Sequence, residues 1–92
     1  MTDSIDATLA ERGALYGEFA SHARITQGLK QLMYSEAKWN TMKDDQCESL
    51  EMIAHKIGRI LNGDPNYADS WVDIAGYAKL VSDRLQKVGV RP

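Results

Sequence analysis

The chain predicts an all-α fold, a small helical bundle of three main helices preceded by a short N-terminal helix. Three observations carry this. Apolar residues recur at three- and four-residue spacing, as in Leu50, Ile53, Ile57, Ile60 and Leu61. Capping residues and breakers stand where such segments should start and stop, at Asp44-Asp45, Gly63-Asp64-Pro65 and Gly89. No stretch alternates apolar and polar residues as a half-buried strand does. Ninety-two residues make one domain, 1–92, with a frayed tail expected from about residue 88.

Ser4 or Asp3 can cap the first helix, in which Ile5 and Leu9 form an apolar pair one turn apart. Gly13 and Gly17 then predict a loop or sharp bend over 13–17, which presents Arg12 and Tyr16 to whatever lies beside it. The second helix spans 18–35, with His22, Ile25, Leu29, Leu32 and Met33 on its apolar face. Ala37 to Lys43 has weak periodicity and reads as a loop whose Trp39 is pinned to the core.

Asp44 or Asp45 caps the third helix, 45–62. Lys56 flanks its apolar stripe on the same side as Arg59, so its ammonium must reach past the core edge or meet an acid on the last helix. Glu48, Glu51 and His55 fall on the far side and read as solvated, and Cys47 reads as a small buried or half-buried residue.

The last helix, 66–87, follows the Pro65 break, with Asn66 as its cap and Asp69 completing a capping box. Trp71, Ile74, Ala75, Ala78, Val81 and Leu85 form its core stripe at about 100° per residue. The opposite face carries Asp69, Asp73, Gly76, Tyr77, Leu80 and Arg84. Two acids four residues apart repel unless a cation meets them, and a helical glycine marks close approach of another element. This helix is therefore expected to be covered on both sides, which in so short a chain calls for a homo-oligomer, a dimer or larger. Lys56 is expected to face Asp69 or Asp73.

Composition narrows the function. A net charge of −2 with dispersed cations gives no footprint for a DNA or RNA polymer. No apolar run reaches membrane-span length, and Met1-Thr2-Asp3-Ser4 does not open a secretory signal, so a soluble cytoplasmic protein is expected. The single Cys47 excludes an internal disulfide framework and a Cys-rich zinc site. Gly-rich phosphate loops and a serine-nucleophile elbow are absent. A bound metal should then be a hard cation on carboxylates, Mg²⁺ or Mn²⁺.

Three runs resemble short, phage-borne MazG-like proteins: Glu11-Arg12-Gly13-x-x-Tyr16-Gly17-x-Phe19, Lys56-x-x-Arg59-Ile60-x-x-Gly63-x-Pro65, and Asp69-x-Trp71-x-Asp73-Ile74-Ala75-Gly76-Tyr77-Ala78. The resemblance covers about three quarters of the chain. A more distant similarity is to the all-α nucleoside triphosphate pyrophosphohydrolases. Those proteins hold Mg²⁺ with a Glu-Glu-x-x-Glu and a Glu-x-x-Asp motif, to which Glu48-x-x-Glu51 and Asp69-x-x-x-Asp73 correspond in part. The resemblance implies a nucleotide-binding protein. Asp69 and Asp73 would be its catalytic acids and, with Glu48 and Glu51, the Mg²⁺ or Mn²⁺ ligands. Lys56 and Arg59 would hold phosphates, with Tyr16 or Trp71 against a base and Arg12 as a further ligand-binding residue. The protein would be a (deoxy)nucleoside triphosphate pyrophosphohydrolase or a non-catalytic binder of nucleotides or nucleotide signals, acting in the host cytoplasm if phage-encoded. A helical module that binds or inhibits a host protein, with no ligand site, is the competing expectation.

Overall fold

The computed structural model describes residues 2–87, with side chains from Ser4 onward. Four α-helices follow one another: α1 (Thr2–Tyr16), α2 (Phe19–Tyr34), α3 (Asp44–Asn62) and α4 (Ala68–Lys87). A single 3₁₀ turn, Ala37–Thr41, links α2 to α3. Helix α3 is the spine, with α2 packed on one side, α4 on the other, and the C-terminal part of α1 closing one end. The expected tail from residue 88 lies outside the described residues.

The N-terminal helix is longer than its glycines predict. It runs through Gly13, which sits exposed with nothing near its α-carbon, so its cost is only helix propensity. The chain breaks at Gly17 alone. Its φ of +81° is the left-handed conformation, and a β-carbon there would strike the Asn62 main chain. The 37–43 segment is likewise an ordered 3₁₀ turn, its Trp39 half-buried edge-on to Tyr34, with ring centroids 5.2 Å apart.

Asp44 and Asp45 lie inside the first turn of α3 rather than capping it. Lys43 takes the cap position, and its backbone N–H donates to Gln46 Oε1 at 2.9 Å. Before α4, Asn66 donates its backbone N–H to Asp64 Oδ1 at 2.9 Å, so it closes a turn instead of capping a helix that begins at Ala68.

The apolar stripes of α2 and α3 face inward as expected at His22, Ile25, Leu29, Met33, Ile53, Ile57 and Ile60, whereas that of α4 is partly rotated. Leu32, Leu50 and Leu61 are exposed, while His22, Thr26, Ser49 and Lys56 are buried. Ala54, 2% exposed, is the buried apolar side chain among the described residues. On α4, Trp71 and Ala75 are exposed and Ala78 stands exposed at a groove it shares with α3, whereas Ser70, Asp73, Ile74, Tyr77, Val81, Arg84 and Leu85 are buried or half-buried. Charge explains the rotation. Lys56 Nζ meets Asp73 Oδ2 at 2.8 Å, and Arg84 grips Asp45 through two hydrogen bonds of 2.8 and 2.6 Å. An unpaired ammonium at the core edge would cost several kcal/mol. Gly76, expected to mark a close approach, has nothing within 4 Å in its own chain.

Two helices do come close at Gly58. A β-carbon there would run into the Thr26 hydroxyl and sit 3.0 Å from His22 Nδ1. Gly58→Ala is expected to destabilise the fold by about 1–3 kcal/mol, since neither neighbour can retreat within a packed helix pair. Gly28→Ala on the open face of α2, where nothing lies within 4 Å, is expected to stabilise it by about 0.5–1 kcal/mol. Urea denaturation of both variants measures this. Equal effects would mean that α2 and α3 do not meet at Gly58.

Candidate functional site

A pocket of about 490 Å³ opens where α1, α2 and α3 converge. Arg12 and Tyr16 reach it from α1, Glu18 from the break, Phe19 and His22 from α2, and His55 and Arg59 from α3, with Leu9 at its outer edge. Its position follows from the α1–α2 turn. Asn62, at the end of α3, donates from Nδ2 to the carbonyls of Tyr16 and Glu18 at 2.9 and 2.8 Å. The Asp64 N–H donates to the Leu15 carbonyl at 2.8 Å. These three bonds tie the end of α1 to the end of α3, and no periodicity in the sequence points to Asn62 in that role. Tyr16 then lies under Arg59, whose guanidinium carbon is 4.1 Å from the ring centroid. Tyr67 stands edge-on to Tyr16 from below α4, at 6.1 Å.

The floor of the pocket is a histidine pair that the sequence reading missed. His55, expected to be solvated, is half-buried, and His22 is buried. His22 Nε2 lies 3.4 Å from His55 Nδ1 and 3.4 Å from Thr26 Oγ1, and the two rings are perpendicular. His22 Nδ1 is buried with no hydrogen-bond partner. Burial holds the His22 pKa below the usual imidazole value. His55 is pushed down to about 4, first by burial and then by Arg59, His22, Lys56 and Lys30. Both rings are therefore neutral at pH 7. The signal available in sequence was an i,i+4 His22–Thr26 pair opposite a helical Gly58, which marks a polar contact only once the two helices are known to touch.

The residues expected to form one site are dispersed over the bundle. Arg12, Tyr16 and Arg59 meet in the pocket. Lys56 and Asp73 pair on the α3–α4 contact, as expected of Lys56, and neither lines the pocket. Asp69 does not share that contact; it is exposed and accepts the Tyr67 hydroxyl at 2.9 Å. Trp71 is exposed as well, with its indole N–H on the Pro65 carbonyl at 2.9 Å. Glu48 is exposed, and Glu51 accepts the Tyr34 hydroxyl at 2.9 Å.

The four acids therefore do not form a cage within one subunit. Among the described residues, no three His, Cys, Asp or Glu side chains lie together as a metal site requires. The donor set does not fit Mg²⁺ or Mn²⁺ inside a single chain. Cys47 is half-buried; burial, then Asp44, Glu51 and Asp45, push its thiol pKa up, which makes it a poor nucleophile. No helix among the described residues is long and apolar enough to cross a membrane.

Fold and pocket together define a small all-α bundle that offers an arginine- and aromatic-lined cleft at the junction of its first three helices. The chain belongs to the family described as Domain of unknown function (DUF6378), whose model matches residues 1–85. No curated protein matches the chain. No solved structure matches it either.

The Lys56–Asp73 pair is lopsided: the Lys56 side chain is 11% exposed and that of Asp73 is 46% exposed. Asp73→Ala strips the partner from a buried ammonium and is expected to cost about 2–4 kcal/mol. Lys56→Met keeps the packed stem and leaves an aspartate that water can reach, so it is expected to cost about 1 kcal/mol or less. Chemical denaturation of the two variants checks the asymmetry, and equal losses would contradict it.

Proposed function

We propose that this protein binds a nucleotide or a nucleotide-derived phosphate in the α1–α2–α3 pocket, on a scaffold of MazG-like ancestry. One observation carries the reading. Arg12, Tyr16 and Arg59, named from sequence as ligand residues, come from two different helices and line one pocket. Two guanidinium groups suit phosphate oxygens, which accept the paired N–H donors that arginine presents. Tyr16 and Phe19 offer aromatic surface for a base, and Phe19 is 77% exposed, as a stacking platform has to be. The volume lies within the range of small-ligand sites, about 300–1,000 Å³.

The geometry favours binding over hydrolysis. Glu18 is the carboxylate in the pocket lining, and Asp69, Asp73, Glu48 and Glu51 lie elsewhere. A phosphate seated on the arginines would have no metal-activated water beside it from the same chain. A second subunit supplying acids would restore the pyrophosphohydrolase reading.

A second reading rests on the apolar surface. Ile5, Leu9, Phe19, Leu61, Val72 and Leu80 are each more than half exposed. The Cα radius of gyration is 15.9 Å, against about 12 Å for a compact domain of this length. A chain this open is completed by a second copy, as a dimer or larger homo-oligomer, or by a protein partner such as a host target.

Calorimetric titration with a panel of ribo- and deoxynucleotides, with and without Mg²⁺ or Mn²⁺, separates the readings. Binding without pyrophosphate release is expected. Arg59→Met is expected to weaken it by about 30-fold, the equivalent of about 2 kcal/mol of charge-assisted hydrogen bonding. Metal-dependent turnover that Asp73→Asn abolishes would establish the enzyme instead. Absence of binding by the whole panel would sink the nucleotide reading and leave the interaction module.

A further inference from the structure

The His22–His55 pair joins α2 to α3 through two ring nitrogens. It is polar, lies where α2 and α3 come closest, and faces a cavity already lined by two arginines. Two ring nitrogens 3.4 Å apart, facing one another, have room for one proton between them. With His22 Nε2 and His55 Nδ1 engaged in that contact, Nε2 of His55 is the ring nitrogen left for the pocket that His55 lines. A charged pair carries three ring protons: one between the rings, one on His55 Nε2 and one on His22 Nδ1, which lies against the Gly58 backbone. The added charge is favoured when something negative sits in the pocket beside His55 Nε2.

We propose that His55, oriented by His22, is a phosphate-contacting residue of this pocket, and that the pair takes up a proton when a phosphate dianion binds. The inference rests on the nucleotide reading above and deepens it: the pocket selects ligands that carry a doubly ionised phosphate, such as a nucleotide's terminal phosphate or pyrophosphate. The charges around His55 make the coupling strong. Arg12 comes from α1, Lys30 from α2, and Lys56 and Arg59 from α3; Glu18 is the acid at the pocket, and Tyr16 is its further titratable group. In the free protein, burial and these cations oppose the imidazolium. A dianion seated between Arg12 and Arg59 reverses the sign of the local field, and His55 Nε2–H then donates to a phosphate oxygen. Because binding raises the His55 pKa, the extra affinity is complete below the free-protein value of about 4. It is lost as pH rises through the higher value of the complex.

The test is titration calorimetry of the full chain with dATP, without metal, at pH 6 in two buffers of different ionisation enthalpy. The wild type is expected to take up close to one more proton per dATP than His55→Gln. Its affinity is expected to gain at least about tenfold relative to that variant between pH 8 and pH 5. The difference between the two proteins removes the titration of the nucleotide itself. Because substitution at a half-buried ring can disturb folding, the His55 ring signals of the wild type are followed by NMR as well. Pyrophosphate is expected to move their titration midpoint upward. Equal proton uptake in both proteins, or an unmoved midpoint, overturns the inference while the nucleotide reading stands on the Arg59→Met loss. Absence of dATP and pyrophosphate binding at every pH overturns both.

Discussion

The approach of α3 to α2 at Gly58 sets the rest of the molecule. A side chain at that position would separate the two helices, because the Thr26 hydroxyl and the His22 ring already occupy the space. With hydrogen alone there, Thr26 and His22 are buried against α3, and His55 is drawn into contact with His22. The same closeness brings the end of α3 level with the start of α2. Asn62 can then hold the carbonyls on both sides of the Gly17 break. That clamp sets Tyr16 under Arg59 and brings Arg12 to the same pocket. The pocket is thus a consequence of one backbone contact and one amide side chain.

The second constraint is electrostatic and governs α4. Helix α3 offers Lys56 and Asp45 on the side that α4 must cover, and α4 answers with Asp73 and Arg84. Satisfying both pairs fixes the rotation of the helix, and the apolar residues take what is left. Trp71, Val72 and Leu80 end up facing solvent. Such a subunit has a polar seam and little apolar core: its buried residues are mostly His22, Thr26, Ser49, Lys56 and Ser70. That balance gives little hydrophobic stabilisation within one chain and supports the proposed assembly of copies or partners over its apolar faces.

The number and order of helices were legible in the sequence because periodicity and breakers are local signals, read within a window of about a dozen residues. The meeting of Lys56 with an acid on α4 was legible for a different reason: a cation at a core edge has few ways to be satisfied. The orientation of α4 was legible in part: Ile74, Val81 and Leu85 turn inward as expected, while Trp71 and Ala75 are exposed because the remaining choice lay in cross-helix pairs that no window contains. The His22–His55 pair was hidden for the same cause, since the two residues are 33 positions apart and touch only through Gly58. The length of α1 was misjudged because Gly13 costs the helix only about 1 kcal/mol where nothing else depends on it. Of the residues expected to form the site, Arg12, Tyr16 and Arg59 share one pocket, whereas the acids scatter once the third dimension is known.

The proposed ligand site is the cleft between α1, α2 and α3, and not the acidic surface of α4. The most direct measurement is an amide and side-chain chemical-shift map of the full chain titrated with dATP. Saturable shifts are expected to concentrate on Arg12, Tyr16, Phe19, His55 and Arg59, with Asp69, Asp73 and Leu80 unmoved. Shifts centred on Asp69 and Asp73 with the cleft silent would contradict the account.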